Sequence, residues 1–387
     1  MTMNRENYKR LGDYIRQIDV RNRDLAVTNL LGVSISKIFI PSIANTIGTD
    51  MSTYKIVEPY QFAYGPVTSR NGDKITFALY KGGEKCIVSS AYVTFEIKDK
   101  EKLDPDYLMM WALRPEFDRY ARFMSNGSAR EIFSWDDMCD VNLPIPEITE
   151  QRRIVSEYQA VEARIDTNKD IISKYEETAQ TIYKKMFVDG INTDDLPEGW
   201  HVGSLSDFGK VVTGKTPSSE CPEDFGDDYP FITPGDFTPG EMFLIKTERA
   251  LSEIGKKKLS GKLLHEGDIA VTCIGYVGKV AVVSKDSISN QQINSIAVKQ
   301  PIYTHYLYYY IQSIKQVLEG AAVGSSTLPL LNKSDFENIA AVIPPQELLE
   351  AFAHRVKALS DGIKSLLMEN IVLANMLKLL LSELSVG

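Results

Sequence analysis

Two stretches of the chain share one spacing of apolar residues. Apolar side chains recur every three or four positions over residues 154–186 and again over 352–384, offset by 198 residues. The first set is Ile154, Tyr158, Val161, Ile165, Ile172, Tyr175, Ala179, Ile182 and Met186, and the second is Phe352, Val356, Leu359, Ile363, Leu366, Leu373, Leu377, Leu380 and Leu384. Such steps place side chains on one face of a helix. The pattern predicts two long helices with one heptad register.

Each heptad seam contains one polar residue, Asn168 in the first and Asn370 in the second. The first seam is symmetric about residue 170, so antiparallel pairing of the helices would set Asn168 against Asn370. A buried asparagine pair costs stability but fixes register and direction, because a slipped alignment leaves an amide unpaired. The alternative is that both asparagines are incidental in apolar helices. We predict an antiparallel coiled coil whose register is set by these two residues.

A block rich in short β-strands precedes each helix. Turn signals such as Asn71-Gly72-Asp73 separate the strands of the first block, and the second block repeats its frame: Leu205–Phe208 resembles Leu11–Tyr14, and a strand stopping at Pro344 resembles one stopping at Pro146. The fold class is therefore α+β with an internal duplication. The predicted segments are a globular domain over 1–146, a helix over 147–188, a linker over 189–200, a second globular domain over 201–344 and a second helix over 345–387.

The charge of the chain limits the ways in which it could bind nucleic acid. Its 387 residues are 43% apolar and 25% charged, with a net charge of −9, and no predicted segment has a basic surplus. Proteins that bind by neutralising phosphates normally carry excess lysine and arginine. If this chain reads nucleic acid, it either gathers its basic residues on one face or takes positive charge from a partner.

The sequence favours a cytoplasmic protein. We find no signal peptide and no apolar run of bilayer-spanning length, so we expect no membrane association. The cysteines Cys86, Cys139, Cys221 and Cys273 are scattered, without CxxC spacing. They are predicted to be free thiols in a reducing compartment.

One stretch matches a phosphate-binding motif literally. Gly209-Lys-Val-Val-Thr-Gly-Lys215-Thr216 fits GxxxxGK[ST], a loop that works between a buried strand and a helix N-terminus. The residues before Gly209 are too polar for a central parallel strand, and Pro217 and Pro222 follow without helical periodicity. We therefore interpret Lys215 and Thr216 as a polar loop, with nucleotide binding through Lys215 as an alternative function.

Other catalytic patterns are weak. Glu96-Ile-Lys98 could belong to a nuclease metal site, but a charged strand end explains it equally well. His201, His265, His305 and His354 lack metal spacing and are expected at the surface or at helix caps. A methyltransferase would need a glycine-rich cofactor loop and a proline-aromatic motif, and the sequence offers neither. We predict no catalytic site, no metal site and no cofactor in this chain.

Polar turn loops are better candidates for binding. Arginine, asparagine and glutamine can pair with base edges in the major groove, while lysine, serine and threonine hold phosphates. Ordinary solvated hairpins use the same residues, which is the alternative at each position. The DNA-binding candidates are Ser69, Arg70, Asn71, Lys74, Ser128, Arg130, Lys215, Thr216, Tyr276, Lys279, Gln291, Gln292, Ser325, Ser326 and Thr327.

Four stretches, in their order and spacing, resemble the DNA-specificity subunit of type I restriction-modification systems. They are Leu143–Ile154, Leu196–Trp200, Thr213–Pro217 and Gly267–Lys279. The resemblance covers nearly the whole chain. It implies two β-rich target recognition domains separated by two long helices that form an antiparallel coiled coil with pseudo-twofold symmetry.

The resemblance also implies function and partners. In this family each domain reads one half of a split, asymmetric site in double-stranded DNA, and the helices dock two methyltransferase subunits that methylate adenine with S-adenosylmethionine. Restriction subunits that translocate DNA with ATP and Mg²⁺ can join. The second repeat departs from the family pattern, with Gln346–Glu350 where the first has Glu150-Gln151-Arg152, which makes partner docking there less secure.

Several apolar residues lie off the seam and are candidates for partner contacts. Burial under the chain's own globular blocks is the alternative. They are Val155, Ile171, Tyr183 and Phe187 on the first helix and Leu367, Ile371, Ala374 and Leu381 on the second.

A helix from Ile154 to Met186 is about 48 Å long, which would separate two half-sites by about one turn of B-DNA. A coiled-coil scaffold with protein-binding heads remains the other alternative function.

Overall fold

The computed structural model describes residues 8–42, 48–69, 72–126, 131–322 and 329–384. The chain forms two compact units. The first unit is Met1–Arg164 with Leu373–Gly387, and the second unit is Ile165–Val372. Each unit therefore combines a β-rich block with parts of both long helices.

The first unit is built on a four-stranded antiparallel sheet of order β2-β9-β6-β7. Its strands are β1 (Tyr8–Arg10), β2 (Ile15–Ile18), β3 (Leu31–Val33), β4 (Phe39–Pro41), β5 (Lys55–Val57), β6 (Phe62–Tyr64), β7 (Phe77–Leu79), β8 (Cys86–Val88), β9 (Val93–Ile97) and β10 (Asn142–Pro144). Its helices are α1 (Pro105–Leu113), α2 (Pro115–Met124), α3 (Trp135–Cys139) and the start of α4 (Ile148–Phe187). Aromatic side chains fill the core, where Phe62 stacks on Phe95 with ring centroids 4.8 Å apart.

The second unit contains two five-stranded sheets, of order β12-β21-β18-β19-β15 and β13-β16-β14-β20-β17. Its strands are β11 (His201–Ser204), β12 (Gly209–Thr213), β13 (Phe225–Gly226), β14 (Tyr229–Ile232), β15 (Phe243–Leu244), β16 (Arg249–Leu251), β17 (Leu263–Leu264), β18 (Ile269–Thr272), β19 (Val280–Val283), β20 (Ser287–Ser289), β21 (Ile293–Val298) and β22 (Ala340–Ile343). Its helices are α5 (Leu205–Phe208), α6 (Glu253–Lys258), α7 (Tyr303–Ser313), α8 (Lys315–Ala321), α9 (Lys333–Glu337) and most of α10 (Gln346–Glu383).

The duplication extends to individual hydrogen bonds. In each unit the first strand pairs antiparallel with the strand before the long helix, β1 with β10 and β11 with β22. The Tyr107 hydroxyl donates to the Pro144 carbonyl at 3.1 Å, and the Tyr306 hydroxyl donates to the Val342 carbonyl at 2.6 Å. Both units therefore share one frame, which ties the β-rich block to the start of its long helix.

A lysine completes the shared frame in each unit. The ammonium of Lys98 donates to the Gly12 carbonyl, and that of Lys299 donates to the Asp207 carbonyl. These carbonyls belong to the two similar Leu-x-Asp-aromatic segments of the sequence. In each unit a lysine that follows a strand, β9 or β21, therefore closes the turn at this segment.

Within each unit the two long helices run antiparallel. In the second unit Phe187, at the end of α4, packs against Phe352, near the start of α10, with ring centroids 5.1 Å apart. In the first unit Val155, near the start of α4, shares a core with Leu384, which follows the end of α10. The predicted fold class, with two β-rich regions and an antiparallel helix pair, is confirmed.

The asparagine pair expected from the symmetry of the seam is present. The side-chain amide of Asn168 donates to Oδ1 of Asn370 at 2.9 Å, and Asn168 is fully buried. Within the described part of the chain, Oδ1 of Asn168 has no hydrogen-bond partner. A buried orphan acceptor of this kind costs about 1–3 kcal/mol, so the pair lowers stability while it specifies the alignment.

Four of the eight apolar residues proposed for partner contacts are covered by the chain itself. Val155 is buried in the core of the first unit, and Tyr183, Phe187 and Leu367 are buried in the core of the second. At these positions α4 and α10 face the cores of the two units, so these side chains are not free to contact a partner. Of the others, Ala374 is exposed, and Ile171, Ile371 and Leu381 are half-buried.

The structure differs from the sequence analysis on two points, the length of the longest apolar stretch and the exposure of one histidine. By length and composition, α10 could cross a membrane, with a mean hydropathy of 1.4 in its most apolar window. A single such helix is weak evidence, because the core helices of soluble proteins pass the same test. His305 lies on α7 and is half-buried, not exposed, and this burial lowers its pKa to about 4. Cys86 and Cys273 are buried, and all four cysteines are free.

A buried carboxyl group lies in the second unit. The Tyr309 hydroxyl donates to Oε2 of Glu176 at 3.0 Å, and burial raises the pKa of Glu176 to about 7, against the hydrogen bonds from Tyr308 and Tyr309, which lower it. Because the folded-state pKa lies above the unfolded value of 4.5, the contribution of Glu176 to stability is fully present below pH 4.5. This contribution is lost as the pH rises through about 7.

The Glu176→Gln variant should therefore unfold with a weaker pH dependence than the wild type. The amide cannot ionise, so above pH 7 the variant gains on the order of 3 kcal/mol relative to the wild type, and near pH 4 the two converge. Urea unfolding at a series of pH values measures the difference. The exposed Glu177→Gln variant is the control and should follow the wild type. A constant difference between Glu176→Gln and wild type at every pH would contradict the assignment.

The asparagine pair predicts a specific pattern in a double-mutant cycle. Asn168→Leu leaves the Asn370 amide unpaired in an apolar seam and should lower the free energy of unfolding by about 1–3 kcal/mol. Replacing both asparagines by leucine removes both polar groups, so the double variant should equal or exceed the wild type. Urea unfolding measures each value. Additive losses in the double variant would show that the two amides do not act as a pair.

Candidate nucleic-acid interface

Four segments of the second unit meet at one end of its first sheet. Strand β12 ends there and β21 begins there, because Thr213 lies opposite Asn294 in the antiparallel register. The β18–β19 turn lies at the same end, since Thr272 lies opposite Ile293. The segment before α9 joins them through a bridge between Ile274 and Leu330. We call these segments, residues 213–217, 272–279, 289–294 and 329–331, the second loop cluster.

Polar side chains of the second loop cluster are linked to one another. The Thr216 hydroxyl donates to Oε1 of Gln291 at 2.6 Å, and the backbone N–H of Lys215 donates to the Ser289 carbonyl at 2.9 Å. Lys215 and Gln291 are exposed, whereas Gln292 is half-buried and accepts a hydrogen bond from Asn290 at 3.0 Å. Six of the sequence-predicted residues, Lys215, Thr216, Tyr276, Lys279, Gln291 and Gln292, therefore lie in one cluster.

Asn294 fastens this cluster to the sheet. Its side chain is buried, accepts a hydrogen bond from the Thr213 hydroxyl at 2.6 Å and donates to the Leu331 carbonyl at 3.2 Å. Three segments distant in sequence are thus joined by one amide. Sequence reasoning missed this residue, although a lone asparagine among the apolar residues of β21 was a signal for a buried polar contact.

The geometry excludes a phosphate-binding loop at Lys215. Residues 209–213 of the motif form strand β12 itself, and no α-helix follows Thr216 before α6 in the described chain. The helix N-terminus that such a loop requires is therefore missing. Lys215 and Thr216 belong to the polar edge of the loop cluster, in agreement with their interpretation as a polar loop.

The first unit brings together a corresponding set of segments. The β6–β7 connection and the segment before α3 meet through a bridge between Val67 and Ile132. The Thr68 hydroxyl donates to the Ser125 hydroxyl at 2.9 Å, and the Thr68 N–H donates to the Glu131 carbonyl at 3.0 Å. We call this set, described over 65–69, 72–76, 125–126 and 131–133, the first loop cluster. Ile132 and Leu330 occupy the same position in the two repeats.

The described candidates of the first loop cluster, Ser69 and Lys74, are exposed beside this bridge. Seven predicted residues lie outside the described part of the chain: Arg70, Asn71, Ser128, Arg130, Ser325, Ser326 and Thr327. Their neighbours Ser69, Glu131 and Pro329 are described and belong to the two clusters. In each unit, described residues that flank these positions therefore lie close to the other candidates of the same cluster.

The charged residues that the sequence suggested for catalysis make structural contacts instead. Glu96 accepts hydrogen bonds from Arg16 at 2.7 Å and from Gln61 at 3.0 Å, as part of the sheet surface. Among the described residues no group of three histidine, cysteine or acidic side chains could hold a metal ion. The nuclease interpretation of Glu96 therefore has no support from the geometry.

Comparison with known proteins now identifies the family. A model described as the type I restriction modification DNA specificity domain matches residues 36–177 and again 197–370, which are the two repeats. The type I restriction enzyme HindI specificity subunit of Haemophilus influenzae is 34% identical over 97% of this chain and 98% of its own.

The chain belongs to the type I restriction-modification DNA specificity family. Other relatives agree: the MjaIX specificity subunit of Methanocaldococcus jannaschii is 29% identical over 46% of this chain and 42% of its own. The fold is similar to a crystal structure of the S subunit of a type I restriction-modification system from M. genitalium. The TM-score is 0.60 and the identity 13%, over 99% of this chain and 97% of that one.

Membership defines the role of this specificity subunit. It is the DNA-recognition component of a restriction-modification complex and not a catalytic component, and DNA and other components of that complex are its partners. Neither the nucleotide-binding nor the scaffold alternative is supported.

Asn294→Ala should destabilise the second unit and release the segment before α9. The substitution leaves the Thr213 hydroxyl and the Leu331 carbonyl without partners in a buried site, at an expected cost of about 2 kcal/mol. Urea unfolding measures the loss, and amide exchange at Gly275 and Leu331 should accelerate. Asn338→Ala removes an exposed amide bonded to the Ser334 carbonyl and should change stability by less than about 0.5 kcal/mol. Equal effects of the two variants would contradict the assigned role of Asn294.

Proposed function

We propose that the specificity subunit reads an asymmetric, bipartite DNA target, with one half-site for each loop cluster. The observation that carries the proposal is the construction of the two clusters. Both stand at the same place in a duplicated frame, where a segment before a short helix bridges a β-turn. Their exposed side chains differ, with Ser69 and Lys74 in the first cluster and Lys215, Tyr276 and Gln291 in the second. Two loop clusters that share a frame but expose different side chains suit a target whose two half-sites differ.

The long helices give a physical reason for a gap between the half-sites. Each is continuous, Ile148–Phe187 and Gln346–Glu383, so its length is fixed by its residue count. Base pairs opposite a rigid helical spacer are not contacted by either cluster. A non-palindromic target with several unspecified base pairs between its halves is the expected result.

Helix α10 supports the docking of methyltransferase subunits. Met368, Val372, Met376 and Leu379 lie at helical spacing on its outer face and are each 44–63% exposed. An exposed apolar face of this length is typical of a protein interface. We propose that it receives apolar helices of two methyltransferase subunits, with Ile171, Ile371, Ala374 and Leu381 beside it.

The departure of the second repeat from the family pattern includes a position that is buried in both repeats. Gln151, the family-like residue of the first repeat, is fully buried and bonds the carbonyls of Lys102 and Pro146 and the N–H of Asp104. Its role is therefore to fix the start of α4 within the chain. The corresponding Leu349 is also buried, so both positions serve the frame and leave the outer helix faces for partners.

The charge of the chain fits a division of labour. With a net charge of −9, the subunit has no overall surplus of basic residues for neutralising DNA phosphates. The methyltransferase subunits supply much of the positive charge, and methylate adenine with S-adenosylmethionine. Restriction subunits, which use ATP and Mg²⁺, join the same complex. This specificity subunit binds none of these cofactors, and the complex acts in the cytoplasm on double-stranded DNA.

Mapping of modified adenines tests the function. The specificity subunit is co-expressed with its methyltransferase subunits, and methylated adenines are located across the host genome. One non-palindromic motif in two parts with a fixed gap is expected, and it should disappear without the specificity gene. Modification that is contiguous, palindromic or independent of this gene would refute the proposal.

The same assay tests docking through Val372→Glu. Burying an unpaired carboxylate in the interface costs about 3 kcal/mol or more, so modification should fall at least about 100-fold at every site. The control is Val202→Glu, at a position that is 61% exposed on β11, which should leave the modified fraction unchanged. Loss of modification in both variants, or in neither, would contradict docking on this face of α10.

A further inference from the structure

Tyr276 is the one aromatic residue of the second loop cluster, and 75% of its surface is accessible. A single exposed aromatic residue is ordinary on a protein surface. The turn that carries Tyr276 is unusual, because the residues on both sides of the tyrosine are held in place. Val277 is buried in the core, and the Gly275 N–H donates to the Pro329 carbonyl at 3.0 Å. The ring is therefore held out in solvent by a rigid support.

Thr272 provides the second constraint on this turn. Its hydroxyl donates to the carbonyl of Tyr276 and accepts a hydrogen bond from the N–H of Lys279 at 3.0 Å. Gly275 and Gly278 have φ angles of 79° and 85°, in the left-handed region that side chains with a Cβ disfavour. A buried threonine and two glycines thus fix the conformation of the turn that carries Tyr276. Such a support lowers the entropy lost when the ring enters a binding site.

The surroundings of the ring match the chemistry of DNA. The ammonium of Lys279 lies 5.3 Å from the centre of the Tyr276 ring, and exposed Lys215 and Gln291 belong to the same cluster. A flat apolar ring beside cations is the combination that stacks on a base while the cations contact the phosphates. A protein partner would not need cations beside the ring in a chain of net charge −9.

We infer that Tyr276 enters the half-site read by the second loop cluster and stacks its ring on a base at an opened base step, with Lys279 on the adjacent phosphate. The inference rests on the proposed function, because it assumes that this cluster meets DNA. Stacking makes this half-site sensitive to how easily its base step opens, which adds specificity without a hydrogen bond to a base edge. The ring supplies this contact, and the hydroxyl is not required.

The test uses the complete complex and a duplex that contains the mapped target. 2-Aminopurine replaces adenines one at a time in the half-site of the second cluster, and its fluorescence reports unstacking. Tyr276→Ala should weaken binding about 10- to 100-fold, in line with base–aromatic stacking of about 1–3 kcal/mol, and should abolish the fluorescence rise. Tyr276→Phe should bind within about threefold of the wild type and keep that rise.

The matched control is Tyr60 in the first unit. It is 48% exposed and lies under the ammonium of Lys100 at 4.8 Å, but it precedes β6 and lies outside the first loop cluster. Tyr60→Ala should therefore bind like the wild type. Thermal unfolding checks that Tyr276→Ala is folded, which is expected because the side chain is largely exposed.

The outcomes separate this inference from the proposed function. If Tyr276→Phe binds as weakly as Tyr276→Ala, the hydroxyl reads a base edge and stacking is wrong. Normal binding by Tyr276→Ala, or no change in 2-aminopurine fluorescence at any position of the half-site, would also overturn it. Both results leave the wild-type complex bound to its target. Failure of the wild-type complex to bind the mapped duplex would instead reject the proposed function.

Discussion

The antiparallel alignment of the two long helices is the constraint on which the rest of the structure depends. Apolar residues at heptad spacing drive the pairing, but leucine-rich seams tolerate slippage by whole heptads. The hydrogen bond from Asn168 to Asn370 removes that freedom, because every slipped alignment buries two unpaired amides. The orphan Oδ1 of Asn168 shows that this alignment is specified at some cost in stability. The asparagine pair therefore selects one register for the two helices.

The frame attached to each helix is duplicated in its hydrogen bonds, whereas its exposed loops are not. Tyr107 and Tyr306 make the same contact, as do Lys98 and Lys299, in blocks that otherwise differ. A frame held by buried side chains and backbone carbonyls does not depend on what the loops expose. Recognition residues can therefore change without loss of the fold. This separation explains how one architecture can present two unlike binding surfaces.

Periodicity made the helices and the asparagine pair predictable, because a heptad seam has only a few alignments and the symmetry selects one. The meeting of the loops was also predictable from antiparallel strands, whose ends and turns share an edge. Burial was not. Tyr183 and Leu367 have the sequence signature of surface apolar residues, yet the β-rich block covers them. Likewise, no sequence rule shows that Asn294 joins three segments or that Tyr276 is held out in solvent.

The register of the helices bears directly on the spacing of a split target. One heptad of α-helix is about 10.5 Å long, and a base pair of B-DNA rises about 3.4 Å. A slip of one heptad between α4 and α10 would shift the two helices by the length of about three base pairs. Apolar packing alone allows such a slip at modest cost, since Leu366 or Leu373 could replace one another in the seam. The Asn168–Asn370 pair disfavours such a slip, because the slipped alignment would leave both amides without partners. A buried amide pair that lowers stability can therefore still be useful, because it fixes the register of the helices.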